Sequence, residues 1–209
     1  MEKSFMEAMD FRHACKVFDE SKKVDVSDME TILEAARKSP SSFGMEAWKF
    51  LVVTNEELKA KIRPLCWDQV QITSCSHLVI VLAGIESLKP ESGEVYKRFA
   101  RRELPQEALE KYMEIYAGHL AGVLNSDENI YAWSARQTYI ASANMMTCAA
   151  TLGIDSCPIE GFEKEPLEEL LGLDTTKFQV AMLLPFGYRI NPQPQQLRRD
   201  ADEVIEFIE

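Results

Sequence analysis

The chain has 209 residues, 46% hydrophobic and 27% charged, so it is long enough to bury a core without metals or disulfides and too apolar to be disordered. Its formal net charge of −11 counts against nucleic acid and anionic membrane as partners, since both need basic faces. No stretch approaches the ~20 apolar residues of a membrane span, and the acidic, interrupted start from Met1 to Asp10 does not read as a signal peptide.

In chain order, the first ten residues read as a short helix with Phe5, Met6 and Met9 on one face. Ser27-Asp28-Met29-Glu30 has the spacing of a capping box, with Met29, Ile32, Leu33 and Ala36 as the apolar stripe of a helix that stops before Pro40. Trp48–Thr54 and His77–Ala83 are compact runs of β-preferring residues and predict buried strands, with a helix between them starting at Asn55. Residues 84–105 are polar, hold two prolines and predict a long excursion or lid. Gln106–Leu124 and Asn129–Leu152 predict helices. The second ends at Gly153, is thinned by alanines as a central helix requires, and spans roughly 36 Å. A short strand at Ile154–Cys157 and a third long one at Phe178–Tyr188 precede a tail that runs to Arg198 and Arg199. Nothing marks an internal boundary, so one domain over 1–209 is expected, with 84–130 as its variable part. Cys15, Cys66, Cys75, Cys148 and Cys157 are odd in number, widely spaced and without a C-x-x-C pair, as in reduced cytosolic thiols, and a zinc site is not expected.

Three patches carry chemistry. Arg12-His13-Ala14-Cys15-Lys16 gathers three potential cations within five residues. Ser39-Pro40-Ser41-Ser42-Phe43-Gly44-Met45-Glu46-Ala47-Trp48 is a hydroxyl-rich turn feeding a strand. Cys157-Pro158-Ile159-Glu160-Gly161-Phe162 follows a helix and a short strand. Each has a bland reading when taken alone: a solvated helix end, a turn, a glycine loop.

Read together and in order, these patches resemble the FMN-dependent nitroreductase family, close to its bacterial NAD(P)H-nitroreductase and flavin-reductase branch. The family's R-H-S-x-[RK]-x-F is similar to Arg12 through Phe18, and its S-P-S-S-x-N-x-Q-P-W to Ser39 through Trp48. Its N-Q-x-Q stretch is similar to Asp68-Gln69-Val70-Gln71 before Cys75-Ser76-His77, its P-I-x-G-F to Pro158 through Phe162, and its C-terminal basic pair to Arg198-Arg199. The resemblance covers nearly the whole chain and is weakest over 84–130. It implies an α+β sandwich: a central mixed or antiparallel sheet flanked by helices, a long central helix, and an intertwined homodimer. Each of two FMN molecules would be held mainly by one subunit, with Pro40, Ser41, Ser42 and Gly44 reaching in from the other.

On that resemblance Arg12, His13 and Arg198 face the FMN phosphate, where guanidinium forks suit a dianion. Lys16, with Asp68 and Gln71 near it, faces the ring edge that gains negative charge on reduction, and Ala14 and Gln196 are further cofactor-binding positions. Backbone N–H groups at Glu160 and Gly161, behind Pro158 and Ile159, serve N5. No side-chain acid or base is needed for hydride transfer; Tyr116 or His119 is the expected ring-stacking residue, Trp133 core or dimer interface, and His77 structural. The implied reaction is ping-pong, with NADH or NADPH as donor and a nitroaromatic, quinone or flavin as small-molecule acceptor. Alternatives are another reaction on the same flavin fold, such as reductive dehalogenation, or a non-enzymatic flavin-binding dimer.

Several positions depart from the pattern: Ala14 for serine, Gly44 for asparagine, Glu46-Ala47 for Gln-Pro, Asp68 for asparagine, and Gln71 and Gln196 where lysine is often seen. Each removes a donor or a positive charge near the implied cofactor.

Overall fold

The apolar runs pair into one antiparallel sheet in the computed structural model, which describes residues 3–209. Its strands are β1 (Trp48–Val53), β2 (His77–Gly84), β3 (Asp155–Ser156) and β4 (Phe178–Gly187), in the order β1-β2-β4-β3. The one parallel feature among the described residues is an isolated bridge between Ala14 and Ser156. The helices are α1 (Phe5–Phe11), α2 (Val26–Arg37), α3 (Glu56–Leu65), α4 (Gln71–Ser74), α5 (Glu94–Ala100), α6 (Gln106–Val123), α7 (Asp127–Thr151) and α8 (Lys164–Leu170). This is the α+β sandwich, with α7 as the long central helix.

The side-chain alternation of β2 divides the core. Leu78, Ile80 and Leu82 join Ile62, Ile72 and Leu167 beneath α3, α4 and α8, while Val79 and Val81 join Ile32, Ala141, Met145 and Ala149 beneath α2 and α7. A strand covered on both faces must be apolar throughout, which is why β2 reads as an unbroken run. A register shift between Val81 and Leu82 leaves Ala181 of β4 without an opposite residue, a bulge.

Two local expectations are corrected. Ser27 and Glu30 do not cap α2: the helix starts at Val26 with Asp25 as its N-cap residue. The Ser76 hydroxyl accepts from the Val24 N–H at 2.8 Å, which fixes the chain just ahead of this start. A capping box forms instead at Ser4 and Glu7 of α1; Met1 and Glu2 lie outside the described residues. Residues 84–105 are also more than a polar lid. They contain α5, and Leu88, Val95 and Phe99 pack with Leu109, Tyr116, Leu120 and Trp133 into a third core. Val95 and Phe99 sit four apart, one helical turn, which a polar average conceals. Asn55 caps α3, its side chain accepting from the Leu58 N–H, and Gly153 follows α7 at φ +78°.

Candidate functional site

Four segments converge at one end of the sheet. The strand-like stretch 12–16 lies beside β3, where the Cys15 N–H donates to the Ser156 carbonyl at 3.1 Å. The tail returns over it: the Gln196 amide donates to the carbonyls of Met9, Asp10 and Arg12 at 2.7–3.0 Å. A groove of about 380 Å³ opens between them, lined by Arg12, His13, Ala14 and residues 194–198. Gln196 therefore clamps the tail to the 9–12 backbone, a role its sequence position does not disclose.

Further along, Lys16 Nζ lies 3.6 Å from Cys157 Sγ. The buried Gln71 amide donates to Gln69 Oε1 at 2.8 Å and approaches the same sulfur at 3.9 Å. Gln69 in turn donates to the Gly161 carbonyl at 2.9 Å. Burial raises the Cys157 thiol pKa, opposed by the Lys16 charge and by the hydrogen bonds from Lys16 and Gln71. The Trp67 ring lies against Gly161 so closely that a Cβ there would sit 2.5 Å from a ring carbon, and its indole N–H donates to Glu163 at 2.7 Å. Trp67 and Asp68 both hold left-handed backbone, φ 54°, and both side chains are exposed. Among the described residues the N–H groups of Glu160 and Gly161 donate to no protein acceptor, whereas Ile159 is buried and pairs with Leu183.

The electrostatics are one-sided. Arg12, Lys16 and Arg198 form no ion pair among the described residues; Arg198 donates only to the adjacent Leu197 carbonyl. His13 is held neutral-leaning, its pKa lowered mainly by desolvation and then by Arg189, and its Nδ1 is buried without a hydrogen-bond partner. Beneath it lies a pair not foreseen from sequence: Arg189 reaches Asp155 Oδ1 at 2.6 Å through Nη2, donates to the Phe11 carbonyl and stacks 4.0 Å over the Phe11 ring. Residues 34 positions apart with ordinary neighbours give no local signal for such a contact.

The Ser41–Gly44 turn lies apart. The Ser42 N–H donates to Gln137 on α7 and the Ser41 hydroxyl accepts from the Glu46 N–H, while α1 approaches the far end of α7, where the Lys3 N–H donates to the Thr151 carbonyl. Positions 137 and 151 are separated by roughly 21 Å along the helix. Tyr116 does not present a ring to any ligand: it is fully buried, its hydroxyl donating to the Leu88 carbonyl at 2.7 Å. His119 is half-buried between Phe43 and Trp133, at 5.7 and 5.9 Å between ring centres. Trp133 belongs to the third core. His77 opens β2 with Nδ1 3.0 Å from the Ser76 hydroxyl, a structural position.

Comparison with known proteins gives a consistent result. The model of the Nitroreductase family matches residues 9–188. The Bacillus subtilis protein YfkO, which carries a provisional NAD(P)H nitroreductase name, is 38% identical over 213 residues, 97% of this chain and 96% of its own. Among solved structures, a provisionally named nitroreductase from Exiguobacterium sibiricum in complex with FMN superposes with a TM-score of 0.83 at 26% identity, covering 98% of this chain and 97% of that one. A provisionally named NAD(P)H:FMN oxidoreductase from Staphylococcus epidermidis gives 0.80 at 25% identity, covering 100% and 98%.

Proposed function

The chain belongs to the nitroreductase family, and from that premise we propose that it is an FMN-dependent NAD(P)H oxidoreductase, a single-domain cytoplasmic protein working as a homodimer. The observation that carries this reading is the row of cations without acidic partners, Arg12, Lys16 and Arg198, in a chain of net charge −11. Leaving three cations unpaired in so acidic a protein makes sense where a polyanion is to be bound.

The residues present fit FMN. Arg12 and Arg198 flank a groove and would hold the phosphate dianion as forked donors. Lys16 would stand at the ring edge where charge gathers on reduction, and the free N–H groups of Glu160 and Gly161 would serve N5. The glycine at 161 makes room for the Trp67 ring, which fills the space a Cβ would take. When bound, FMN supplies the two-electron chemistry, accepting hydride from NAD(P)H and delivering electrons to a nitroaromatic, quinone or flavin. The protein's part is to orient, to exclude water and to place positive charge.

One observation supports the dimer. The tail leaves Leu197, Val204, Ile205, Phe207 and Ile208 exposed, as are Tyr139 and Ile140 on α7. Apolar surface of that extent marks an interface. Cys15, Cys66, Cys75 and Cys157 are buried thiols outside any disulfide, which supports a reducing compartment.

Calorimetric titration with FMN and with riboflavin tests the reading. FMN is expected to bind more tightly by about 1.5–3 kcal/mol for each guanidinium engaged, and Arg198→Ala to remove one such share without changing riboflavin binding. Equal affinity for both ligands in the parent would contradict the assignment of Arg12 and Arg198.

A further inference from the structure

Lys97, Arg98, Arg101 and Arg102 fall within six positions of an otherwise acidic chain. Their partners differ. Lys97 is matched by Glu94 at 2.6 Å, and Arg98 is half-buried and donates to the Ser87 carbonyl. Arg101 shares Glu46 at 3.3 Å, both side chains being about half exposed, an arrangement that solvent screens and a competing anion displaces at little cost. Arg102 forms no ion pair among the described residues. One of its five N–H groups donates to the Phe43 carbonyl at 2.8 Å, and its guanidinium lies 5.1 Å from the Phe99 ring centre and 5.2 Å from that of Tyr112.

Both guanidiniums therefore crown the Ser41–Gly44 turn. Arg101 Nη2 lies 3.5 Å from the Gly44 carbonyl oxygen, and a Cβ on Gly44, which stands at φ +66°, would come within 3.3 Å of Arg102 Nη2. Two aromatic rings and one carbonyl fix the Arg102 plane and leave its remaining donors for a ligand. A pre-oriented fork of this kind suits a phosphomonoester, which it can bind through two parallel hydrogen bonds.

We propose that Arg102, seconded by Arg101, binds the 2′-phosphate of NADPH and makes the phosphorylated dinucleotide the preferred electron donor. The inference rests on the flavin reading above, in which this turn serves the cofactor held by the second subunit. In that reading the FMN phosphate is taken by Arg12 and Arg198 on other segments, so a phosphate-binding fork on the turn is left for the incoming reactant. NADH and NADPH differ in the 2′-phosphate alone. The net negative charge of the protein repels the more highly charged dinucleotide everywhere except at such a basic patch.

The test uses FMN-loaded protein and the variants Arg102→Gln, which keeps an N–H for the Phe43 carbonyl and loses the charge, and Arg102→Lys, which keeps the charge and loses the fork. Two quantities are read: the Kd of NADP+ and of NAD+ on the oxidised protein, and the rate constants for flavin reduction by NADPH and NADH. The parent is expected to favour the phosphorylated member of each pair. Arg102→Gln is expected to weaken NADP+ by about tenfold or more, the factor carried by one charge-assisted hydrogen bond, with NAD+ unchanged within about twofold. Arg102→Lys is expected to fall between. A parent without preference overturns the inference, as does a variant that weakens both dinucleotides alike, which would mark Arg102 as a prop for the turn. Free FMN and riboflavin compared as acceptors make the further arm: a lost preference for FMN with donor selection intact assigns the phosphate to the acceptor and also overturns it. A parent that takes up FMN but shows no preference leaves the flavin reading standing; one that takes up no FMN ends both.

Discussion

Lys16 is the side chain on which the redox properties turn. Its ammonium rests against the Cys157 sulfur with no carboxylate paired to it among the described residues. Gln71 contributes only a neutral amide to the same spot. Reduction of the bound flavin adds negative charge at the edge we assign to Lys16, so Lys16→Gln should lower the midpoint potential. About 30 mV corresponds to about 1.4 kcal/mol for a two-electron couple, and a shift of that order is expected in spectroelectrochemical titration. Asp68→Asn should move the potential less, because the Asp68 side chain is exposed and its charge is screened by water. A Lys16→Gln potential equal to the parent's would remove Lys16 from the ring edge. At this scale the sequence is informative about which residue types are present and poor about which way they face. Tyr116 and His119 lie three apart on α6, yet one is buried against Leu88 and the other is half-open.

The elements meet at a junction that local sequence does not announce. Asp155 of β3 accepts from Arg189 through both the backbone N–H and the guanidinium, and Arg189 continues to the Phe11 carbonyl at the end of α1. This one acid ties β3, the end of β4 and the approach to Arg12. Asp155→Ala would leave the guanidinium largely buried without its counter-charge, which costs about 3–5 kcal/mol in comparable pairs. Denaturant unfolding should show that loss, and a change under ~1 kcal/mol would mean the junction relaxes around the gap.

Titration bears on the same junction. Burial lowers the pKa of His13, and of His77, below the ordinary 6.5. The unfolded chain then takes up protons that the folded chain refuses, so the stability these residues contribute is present above about pH 6.5 and is lost as pH falls toward their folded values. His13→Gln should flatten the dependence of the unfolding midpoint on pH in that window; an unchanged slope would show that His13 titrates as a free histidine.

The strands, the Asn55 cap and the Gly153 stop were all legible, because each depends on neighbours in sequence. The Ser27–Glu30 box failed because its capping residue must itself be extended, and Ser27 lies inside the helix behind the extended N-cap Asp25. The third core escaped notice because its apolar residues are few and spaced by helical turns inside a charged stretch. The Gln196 clamp and the Asp155–Arg189 pair depend on contacts between distant segments, for which spacing gives no signal.

For the molecule as a whole, the net charge of −11 and the absence of a helix long and apolar enough to cross a membrane among the described residues leave one large feature to explain, the exposed apolar tail. A tail exposing Val204, Ile205, Phe207 and Ile208 presents the kind of apolar surface that marks an interface. On the proposed reading, the second copy that covers it is also the one that receives the Ser41–Gly44 turn. Sedimentation should therefore show a dimer at micromolar concentration, with more than ~2,000 Å² buried as in permanent homodimers. Removal of residues 200–209 should weaken association and FMN retention together; a folded monomer in the parent would leave the turn without a role.

The central claim is that these residues form one site for a flavin that cycles between two reactants. The most direct test is an anaerobic titration of the FMN-loaded protein in which NADPH or NADH is added first and a quinone or nitroaromatic second, while the visible flavin absorption is followed. Stoichiometric bleaching by the dinucleotide alone, followed by full return of colour on adding the acceptor after the oxidised dinucleotide has been removed, is the result predicted for two separable half-reactions. Protein that binds no FMN, or bound flavin that stays oxidised with excess dinucleotide, would contradict the account.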